Sequence, residues 1–280
     1  MNIAAPAAST TDLIAAVSSE LTPAERRIAR AVLAEPTLLA FGTVSDLASR
    51  VGTSRPTIVR FANTLGFKGY TQLQRHVRND LSHQLARPSE RIRHGGEAVL
   101  PARAAIESAV ASVFDALEGD RLEELARPIV QAANVWILSG ETSQAGAHAF
   151  QSGLSMIRPG VRSLEEHTLG TDLSDAGPGD TAVVFDFFRY RRQVTTAARV
   201  FSEAGVAIVA ITDSPLSPLA EVADTWCEIE VPAIGPFDSS VPIVALAELL
   251  VARVARGLKD QATARIDRIE TLWEETEIFL

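Results

Sequence analysis

The sequence predicts an all-α helix-turn-helix domain followed by an α/β domain, a doubly wound parallel sheet of about five strands with helices on both faces. Three observations predict this combination. Residues 44–65 contain two short amphipathic helical patterns joined by a glycine turn. Residues beyond 133 alternate short apolar runs with helical periodicity, the pattern of a parallel sheet covered by helices. The length of 280 residues exceeds the usual size of one domain.

Charge is distributed unevenly along the chain. The net charge is -9, yet residues 21–96 carry 12 lysines and arginines against five aspartates and glutamates. Residues 97–280 carry 14 basic side chains against 28 acidic ones. A basic module joined to an acidic remainder indicates that the first part meets a polyanion and the second does not.

Composition argues against several other classes of protein. The longest apolar stretch, Val241 to Ala255, contains Glu248 and Arg253 and is too short to span a bilayer. The first residues have no basic segment before their apolar part, so no secretory signal is expected. Cys227 is the single cysteine, which excludes an intramolecular disulfide and a zinc site built on paired cysteines. We expect a cytoplasmic protein without membrane segment, metal or cofactor.

The N-terminal module opens with an amphipathic helix. Thr22 is a predicted N-cap, with Pro23 at the first helical position and Glu25 at the third, which makes a near capping box. Pro36 is expected to end the helix. Its apolar face is formed by Ile28, Val32 and Leu33.

Residues 43–67 predict two short helices joined by a tight turn, a helix-turn-helix. Gly52 makes the turn because glycine adopts a left-handed conformation, and Ala48 is small enough for the helices to cross closely. Thr53 or Ser54 is expected to cap the second helix. The predicted core contacts come from Val44, Leu47, Ala48 and Val51 in the first helix and from Ile58, Val59, Phe61, Ala62 and Leu65 in the second.

The start of the second helix carries the side chains expected to meet DNA. Ser54, Arg55, Thr57 and Arg60 occupy its first turns, with Asn63 and Thr64 further along the outward side. In a helix-turn-helix the second helix enters the major groove and its N-terminal residues contact base edges. A helical hairpin inside a bundle would not need exposed arginine, serine and threonine on a basic module. We therefore predict double-stranded DNA as a partner.

The segment SDLASRVGTSRPTIVRFANTLGFKGYTQLQRHV resembles the N-terminal domain of RpiR-type bacterial transcription regulators. Their run T-[VI]-x-R-F…L-G-F-x-G-[FY] is matched by Thr57, Ile58, Arg60, Phe61, Leu65, Gly66, Phe67, Gly69 and Tyr70. Most members have alanine where this chain has Pro56. The resemblance implies that Arg60 and Lys68 contact backbone phosphate and that Ser54, Arg55 and Thr57 lie nearest the bases.

The acidic remainder predicts a connector and then a sheet. Helical periodicity from Arg103 to Ala133 breaks around Gly119. The predicted strands are 135–138, 161–164, 182–185, 206–211 and 226–229. Ligands of such sheets bind at the carboxyl ends of the strands, so the loops SGETSQAG, DFFRYRR and TDSPLSP are the ones to inspect.

Two of these loops are rich in hydroxyl groups. Ser139, Thr142 and Ser143 follow the first strand and open a helix, where hydroxyls and free N–H groups can hold an anion. Thr212 and Ser214 follow a later buried strand. Glu141 in the first loop does not favour a phosphate, and a capped helix start without ligand remains the alternative.

Residues 130–257 resemble the SIS (sugar isomerase) domain, which RpiR-type regulators carry C-terminally to sense small molecules, commonly sugar phosphates. The stretch AITDSPLSPLAEVAD is the most distinctive part of the match. The resemblance implies a helix-turn-helix domain over 1–85, a helical connector over 86–129 and an SIS-like sensing and oligomerisation domain over 130–280. It also implies a small anionic metabolite as ligand, a sugar phosphate or a sugar acid derivative.

One loop departs from that family pattern. SIS domains that hold a sugar phosphate usually place S-x-S-G-x-[ST] after the central strand, whereas this chain has DFFRYRR over residues 186–192. Arg189, Arg191 and Arg192 can bind an anion through guanidinium groups. The cluster can instead form an interface, because phenylalanine, tyrosine and arginine are enriched there. A third interpretation is that it only closes the sheet, with Asp186 pairing an arginine.

Two other functions compete with a regulator. SIS domains also occur in aldose–ketose isomerases, and a base for that reaction could come from Glu165, Glu166, His167 or His148. An isomerase has no use for a helix-turn-helix, and a DNA-architectural protein has none for a large acidic α/β domain. A regulator whose SIS domain serves only oligomerisation also remains open. We predict no catalytic residues.

Assembly is the last expectation from sequence. The apolar helix over 238–258 and the final segment 267–280 contain more leucine, isoleucine, tryptophan and phenylalanine than a monomer would leave exposed. We expect a homodimer or homotetramer. A dimer spaces its two recognition helices one DNA turn apart, so the operator should be an inverted repeat.

Overall fold

The computed structural model describes residues 10–34, 36–84, 91–92, 99–165, 167–187, 189–215 and 217–279. The chain divides into two compact units. The first comprises residues 1–97 together with 214–218 and 233–237, and the second comprises 98–213, 219–232 and 238–280.

The N-terminal part of the first unit is helical, as predicted. Its helices are α1 (Thr10–Ala16), α2 (Pro23–Ala34), α3 (Pro36–Phe41), α4 (Val44–Val51), α5 (Arg55–Thr64) and α6 (Tyr70–Gln84). The capping box at the start of α2 is confirmed, because the Glu25 N–H donates to Thr22 Oγ1 (3.3 Å) and the Thr22 N–H donates to Glu25 Oε2 (3.0 Å). The core includes Ile28, Leu39, Leu47, Ile58, Phe61 and Leu73.

The turn between α4 and α5 has the predicted geometry. Gly52 ends α4 with φ of 65°, and the Thr53 N–H donates to the Ala48 carbonyl (2.9 Å). Ser54 is the N-cap residue of α5, and a proline occupies its first turn. A β-carbon at position 52 would be strained in this left-handed conformation, so glycine is required there.

Helix α6 holds the corner between α3 and α4. The Tyr70 hydroxyl donates to the Gly42 carbonyl (2.9 Å), and Gln74 Nε2 donates to the same carbonyl (2.8 Å) and to that of Leu39 (3.0 Å). These donors satisfy carbonyl groups that the end of α3 leaves without helical partners. The tyrosine of the RpiR-like run therefore has a structural role.

The second unit is an α/β layer structure. Its helices are α7 (Val99–Ala116), α8 (Arg121–Gln131), α9 (Gln144–Ile157), α10 (Leu169–Asp175), α11 (Arg192–Glu203) and α12 (Val241–Glu275). Its strands are β1 (Val135–Ser139), β2 (Val161–Ser163), β3 (Thr181–Phe185), β4 (Ala207–Thr212) and β5 (Thr225–Glu228). They form one parallel sheet in the order β2-β1-β3-β4-β5, which confirms the predicted fold class. A separate two-stranded sheet joins β6 (Ala233–Ile234) and β7 (Phe237–Asp238).

Both faces of the sheet are covered by helices. Along β3, Val183 and Phe185 point to the core cluster that α8, α9 and α12 share, while Ala182 and Val184 point to the cluster that α11 completes. All five residues of β3 are buried. A strand buried on both faces is continuously apolar, which explains why the sequence pattern located it.

The apolar residues in the first half of α12 are buried, contrary to the expectation from sequence. Its first half packs on α9 so closely that a β-carbon at Gly146 would lie 2.2 Å from Ile243 Cγ2. Ile243, Leu246, Leu250 and Val254 are fully buried within the unit, so residues 238–258 do not form the exposed face predicted from sequence.

No helix among the described residues could cross a membrane.

Helices α7 and α8, which lie largely within the predicted connector, contribute to the core of the second unit. Val113, Leu125 and Ile129 are fully buried against the sheet and α12. They are separated by a turn at Gly119, which has φ of 65°, at the break that the periodicity predicts.

Asp180 anchors the amino ends of β1 and β3. Its carboxylate accepts hydrogen bonds from Trp136 Nε1 (3.1 Å), Asn134 Nδ2 (2.9 Å) and the Asn134 N–H (3.0 Å). Burial acts to raise the pKa of Asp180, but these donors outweigh burial and hold the pKa below its usual value.

Candidate functional site

One face of α5 is exposed and polar. Arg55, Pro56, Val59, Arg60 and Asn63 are exposed along it. The opposite side packs into the helical core through Thr57, Ile58, Phe61 and Ala62. The exposed face carries two arginines and no acidic side chain, so a polyanion can approach it without meeting a carboxylate on this helix.

Val59 does not supply a core contact, contrary to the expectation from sequence. Its side chain is 38% exposed. It lies one turn after Arg55 and one turn before Asn63, on the outward strip of α5. The residue type suggested burial, but its neighbours on the helix surface are polar.

The hydroxyl groups at the start of α5 bond to each other. The Ser54 and Thr57 hydroxyl oxygens lie 2.8 Å apart, and Thr57 is only 8% exposed. Ser54 is exposed. Of the five side chains predicted to contact DNA, Ser54, Arg55, Arg60 and Lys68 are thus exposed and Thr57 is buried.

Glu25 links α2 to the end of α5. The Thr64 hydroxyl donates to Glu25 Oε1 (3.1 Å). Burial acts to raise the pKa of Glu25, but hydrogen bonds from Thr22 and Thr64 and the positive charge of Arg60 lower it below its usual value. Glu25 thus connects α2 to the last residue of α5 through Thr64.

Lys68 lies in the turn between α5 and α6. Its side chain is exposed, and its backbone N–H donates to Gln72 Oε1 (2.7 Å). Gly66 and Gly69 flank it with φ of 86° and 147°. The turn that follows α5 thus carries an exposed lysine.

The order of the sheet defines a crevice in the second unit. From β1 the chain proceeds to β2 on one side, whereas β3, β4 and β5 follow on the other side. The carboxyl ends of β1 and β3 are adjacent, with Ser139 paired to Phe185. A ligand of an open parallel sheet binds at such a switch point.

The loop after β1 is hydrogen-bonded to the last residue of β3. Ser143 is fully buried, and its hydroxyl lies 2.7 Å from the Phe185 carbonyl and 3.0 Å from the Gly140 carbonyl. This hydroxyl hydrogen is used within the protein. Glu141 and Thr142 are exposed.

The loop after β3 contacts the loops that follow β1 and β4. Asp186 is buried and accepts hydrogen bonds from the backbone N–H groups of Arg191 (2.7 Å) and Phe187 (3.2 Å). A β-carbon at Gly140 would lie 2.1 Å from Asp186 Oδ1, so glycine is required where the two loops meet. The Tyr190 hydroxyl donates to Asp213 Oδ1 (2.6 Å), beyond β4.

Two arginines of this loop have distinct settings. The Arg191 guanidinium pairs with the Glu141 carboxylate across the two loops. Arg189 is exposed and has φ of 74°. Asp186 accepts its hydrogen bonds from backbone N–H groups of this loop, and Phe188, which the aromatic cluster includes, lies outside the described residues.

Asp186 follows the carboxyl end of β3 and has a perturbed pKa. Burial raises its pKa to about 7, and the charge of Asp213 adds to this, while the N–H groups of Arg191 and Phe187 oppose it. A folded-state pKa above the unfolded value near 3.9 means that the folded protein binds the proton more tightly. Stability from this group is therefore present at low pH and is lost as pH rises from about 4 to about 7.

We expect Asp186→Asn to remove the loss of folding stability that the wild type shows as pH rises. Between pH 5 and pH 8 the melting temperature of the wild type should fall relative to that of Asp186→Asn, because the amide carries no charge to bury and can still accept the Arg191 N–H. Thermal unfolding at both pH values checks this. Asp180→Asn is the control, since the lowered pKa of Asp180 keeps it ionised throughout and its effect should not change with pH. A wild type and Asp186→Asn with parallel pH profiles would contradict the assignment.

The crevice holds a cleft of about 640 Å³. Its wall is formed by Leu138, Ser139, Glu141, Gln144, Leu164, Glu165, His167, Leu169, Arg191, Arg192, Gln193 and Val194. Arg192 is the first residue of α11 and makes no ion pair within the part of the chain that the structure describes. The cleft therefore combines carboxylates, guanidinium groups and side-chain amides with apolar side chains.

The predicted ligand residues separate into two groups. Ser139, Arg191 and Arg192 line the cleft. The others, Thr142, Ser143, Arg189, Thr212 and Ser214, do not belong to its wall; Thr212 at the end of β4 and Ser214 just after it are fully buried. Glu141, Gln144 and Gln193 line the cleft but were not predicted as ligand residues. Their positions just after β1 and at the start of α11 could have indicated them.

The candidates for an isomerase base are largely exposed. His167 Nδ1 lies 3.4 Å from Glu165 Oε2, with side chains 76% and 62% exposed, and both line the cleft. His148 is exposed on α9, outside the cleft wall. Glu166 lies outside the described residues. Neither histidine nor Glu165 has the buried setting that tunes a catalytic base.

Two family models match the chain. The model described as "Helix-turn-helix domain, rpiR family" matches residues 9–84, and the SIS domain model matches residues 129–253. They coincide with the helical domain that presents α5 and with the sheet that forms the cleft.

Similar proteins include transcription regulators. An uncharacterized HTH-type transcriptional regulator of Caldanaerobacter subterraneus is 26% identical over 255 residues, which cover 88% of this chain and 86% of the relative. The sugar isomerase domain of an RpiR transcription factor from Sphaerobacter thermophilus is 25% identical with a TM-score of 0.58, covering 62% of this chain and 99% of that one. The Vibrio vulnificus NanR protein, complexed with ManNAc-6P, is 19% identical with a TM-score of 0.56, covering 94% and 97%.

Proposed function

The chain belongs to the RpiR-type transcription regulators, with a helix-turn-helix domain followed by a SIS domain, and from this membership we propose that it binds an operator through α5 and senses a small anionic metabolite in the cleft between β1 and β3. The observation that carries the first half is the exposed, acid-free face of α5. The second half is supported by the position of the cleft at the switch point of the sheet.

The side chains of α5 divide by role in this proposal. Arg55 contacts a base edge in the major groove, because it is exposed at the N-terminal end of the helix. Arg60 and Lys68 contact phosphate. Thr57 is buried, so we assign it to holding Ser54 in place through their hydroxyl contact, which leaves Ser54 at the surface to reach DNA.

Dimeric assembly completes the operator proposal. Two copies would place two α5 helices about one DNA turn, roughly 34–36 Å, apart on an inverted repeat. The end of α12 and the residues after it offer a surface for this, since Leu272, Ile278 and Phe279 are 47%, 58% and 71% exposed. In a monomer these side chains would stay partly in contact with water. Full burial of one large apolar side chain stabilises by about 1.5–3 kcal/mol relative to full exposure, so covering them favours association.

We expect the full chain to be at least a dimer. Leu272→Asp and Phe279→Asp should shift it toward monomer, because each places a charge on the apolar surface. Light scattering at micromolar protein checks both, with Val200→Asp on the exposed side of α11 as the control. A monomeric wild type, or variants that assemble as the wild type does, would contradict the assignment.

The charges of the cleft indicate which chemical groups its ligand carries. Arg191 already pairs with Glu141, whereas Arg192 is exposed at the first turn of α11, where backbone N–H groups also favour an anion. An anionic ligand group therefore binds at Arg192, and hydroxyl groups of a sugar donate to Glu141 and Glu165. The NanR protein that shares this fold is complexed with ManNAc-6P, so sugar phosphates belong in the test together with sugar acids.

One experiment separates this function from its rivals. The full chain is used to select duplexes from a random pool, and the same preparation is assayed for aldose–ketose isomerisation of sugar phosphates. Enrichment of one inverted repeat without isomerase activity is the expected result. Turnover without a selected sequence would establish the isomerase instead.

A further inference from the structure

Val59 occupies the middle of the α5 face that we assign to DNA. Arg55, Val59 and Asn63 recur at intervals of four residues, so their side chains line one strip of the helix. Ile58 beside it is fully buried, while Val59 is 38% exposed. An apolar group therefore lies between two polar groups on the outward surface.

Folding stability does not account for valine at this position. A β-branched residue has a lower helix propensity than alanine, and a side chain that is one-third exposed gains only part of the free energy of burial. Arginine or lysine would serve an ordinary solvated helix face equally well.

The chemistry of the major groove offers a partner for it. The apolar group that a base edge presents there is the C5-methyl of thymine. Arginine is suited to guanine and asparagine to adenine, so the side chains one turn before and after Val59 are of types that pair with base edges. Val59 then faces the base pair between them.

We propose that Val59 reads thymine in the operator by packing against its C5-methyl group. The inference rests on the proposed binding of an operator by α5 and adds a determinant of base preference to it. Removing one contact of this kind uncovers about one methyl group, which corresponds to about a fourfold change in affinity.

Uracil provides the test, because it differs from thymine only in lacking the methyl group. In a duplex selected by the full chain, each thymine is replaced by uracil in turn, and affinity is measured for the wild type and Val59→Ala. We expect one thymine per half-site at which uracil weakens wild-type binding about fourfold. Val59→Ala should bind the thymine and uracil duplexes equally.

Val200→Ala is the matched control, because Val200 is 36% exposed on α11. It should keep the wild-type preference for thymine, and unfolding curves should show both variants folded. A selected duplex without any thymine-to-uracil effect, or an effect that persists in Val59→Ala, would overturn the inference while operator binding stands. Failure to select any duplex would overturn the proposed function and the role of Val59 with it.

Discussion

Arg55→Ala is expected to weaken operator binding about tenfold to a hundredfold and to relax base preference at one position of each half-site, as loss of a bidentate contact to guanine does. The side chain is exposed at the first residue of α5, while the adjoining turn is fixed by Gly52 and by the core contacts of Ile58 and Phe61. Its removal should therefore leave the fold intact. Fluorescence anisotropy against the selected duplex and against single-base variants measures both effects.

Lys68→Ala distinguishes phosphate contact from base reading. It should weaken all sequences alike and lower the slope of log affinity against log salt by about one, because one phosphate contact is lost. Equal loss of specificity in the two variants would contradict the division of roles. Unchanged affinity in both would show that another surface binds DNA.

Arg192→Ala is expected to weaken binding of the cleft ligand about tenfold to a hundredfold, the loss of one charge-assisted hydrogen bond of roughly 1.5–3 kcal/mol. Arg192 lines the cleft at the start of α11 and has no ion pair among the described residues, so its guanidinium is available to an anion. Calorimetry with the compound that gives the largest thermal shift in a screen of sugar phosphates and sugar acids measures the change.

Arg199→Ala is the matched control on the same helix, since Arg199 is exposed and lies outside the cleft wall. It should bind the ligand as the wild type does. Arg191→Ala should differ from Arg192→Ala, because it also frees the Glu141 carboxylate inside the cleft. Intact ligand affinity together with a loosened oligomer in the arginine variants would favour the interface interpretation of the loop.

Most of the fold could be predicted from local patterns. Strand β3 is a short buried run that is apolar after Thr181, and the turn at Gly52 needs a residue with positive φ. The error at Val59 arose because residue type does not state which way a side chain points. The error at α12 has a related cause, since an apolar helix face does not reveal whether the same chain or a second copy covers it.

The site was harder to predict because it depends on contacts between distant residues. Glu141 and Arg191 pair only because β1 and β3 are neighbours and their following loops meet. The burial of Asp186 against Gly140 follows from the same adjacency. Sequence spacing identified the loops at this edge of the sheet. It could not show which hydroxyl groups bond within the protein, as that of Ser143 does with the Phe185 carbonyl, because this depends on the three-dimensional contact.

The most direct test of a ligand-controlled regulator is the affinity for the selected duplex with and without saturating cleft ligand, measured for the wild type and Arg192→Ala. Coupling between two sites is commonly about 1–3 kcal/mol, so wild-type affinity should change about fivefold or more. Arg192→Ala, at the same ligand concentration, should respond much less. An operator affinity that saturating ligand leaves unchanged in the wild type would contradict the proposal and leave the SIS domain with oligomerisation alone.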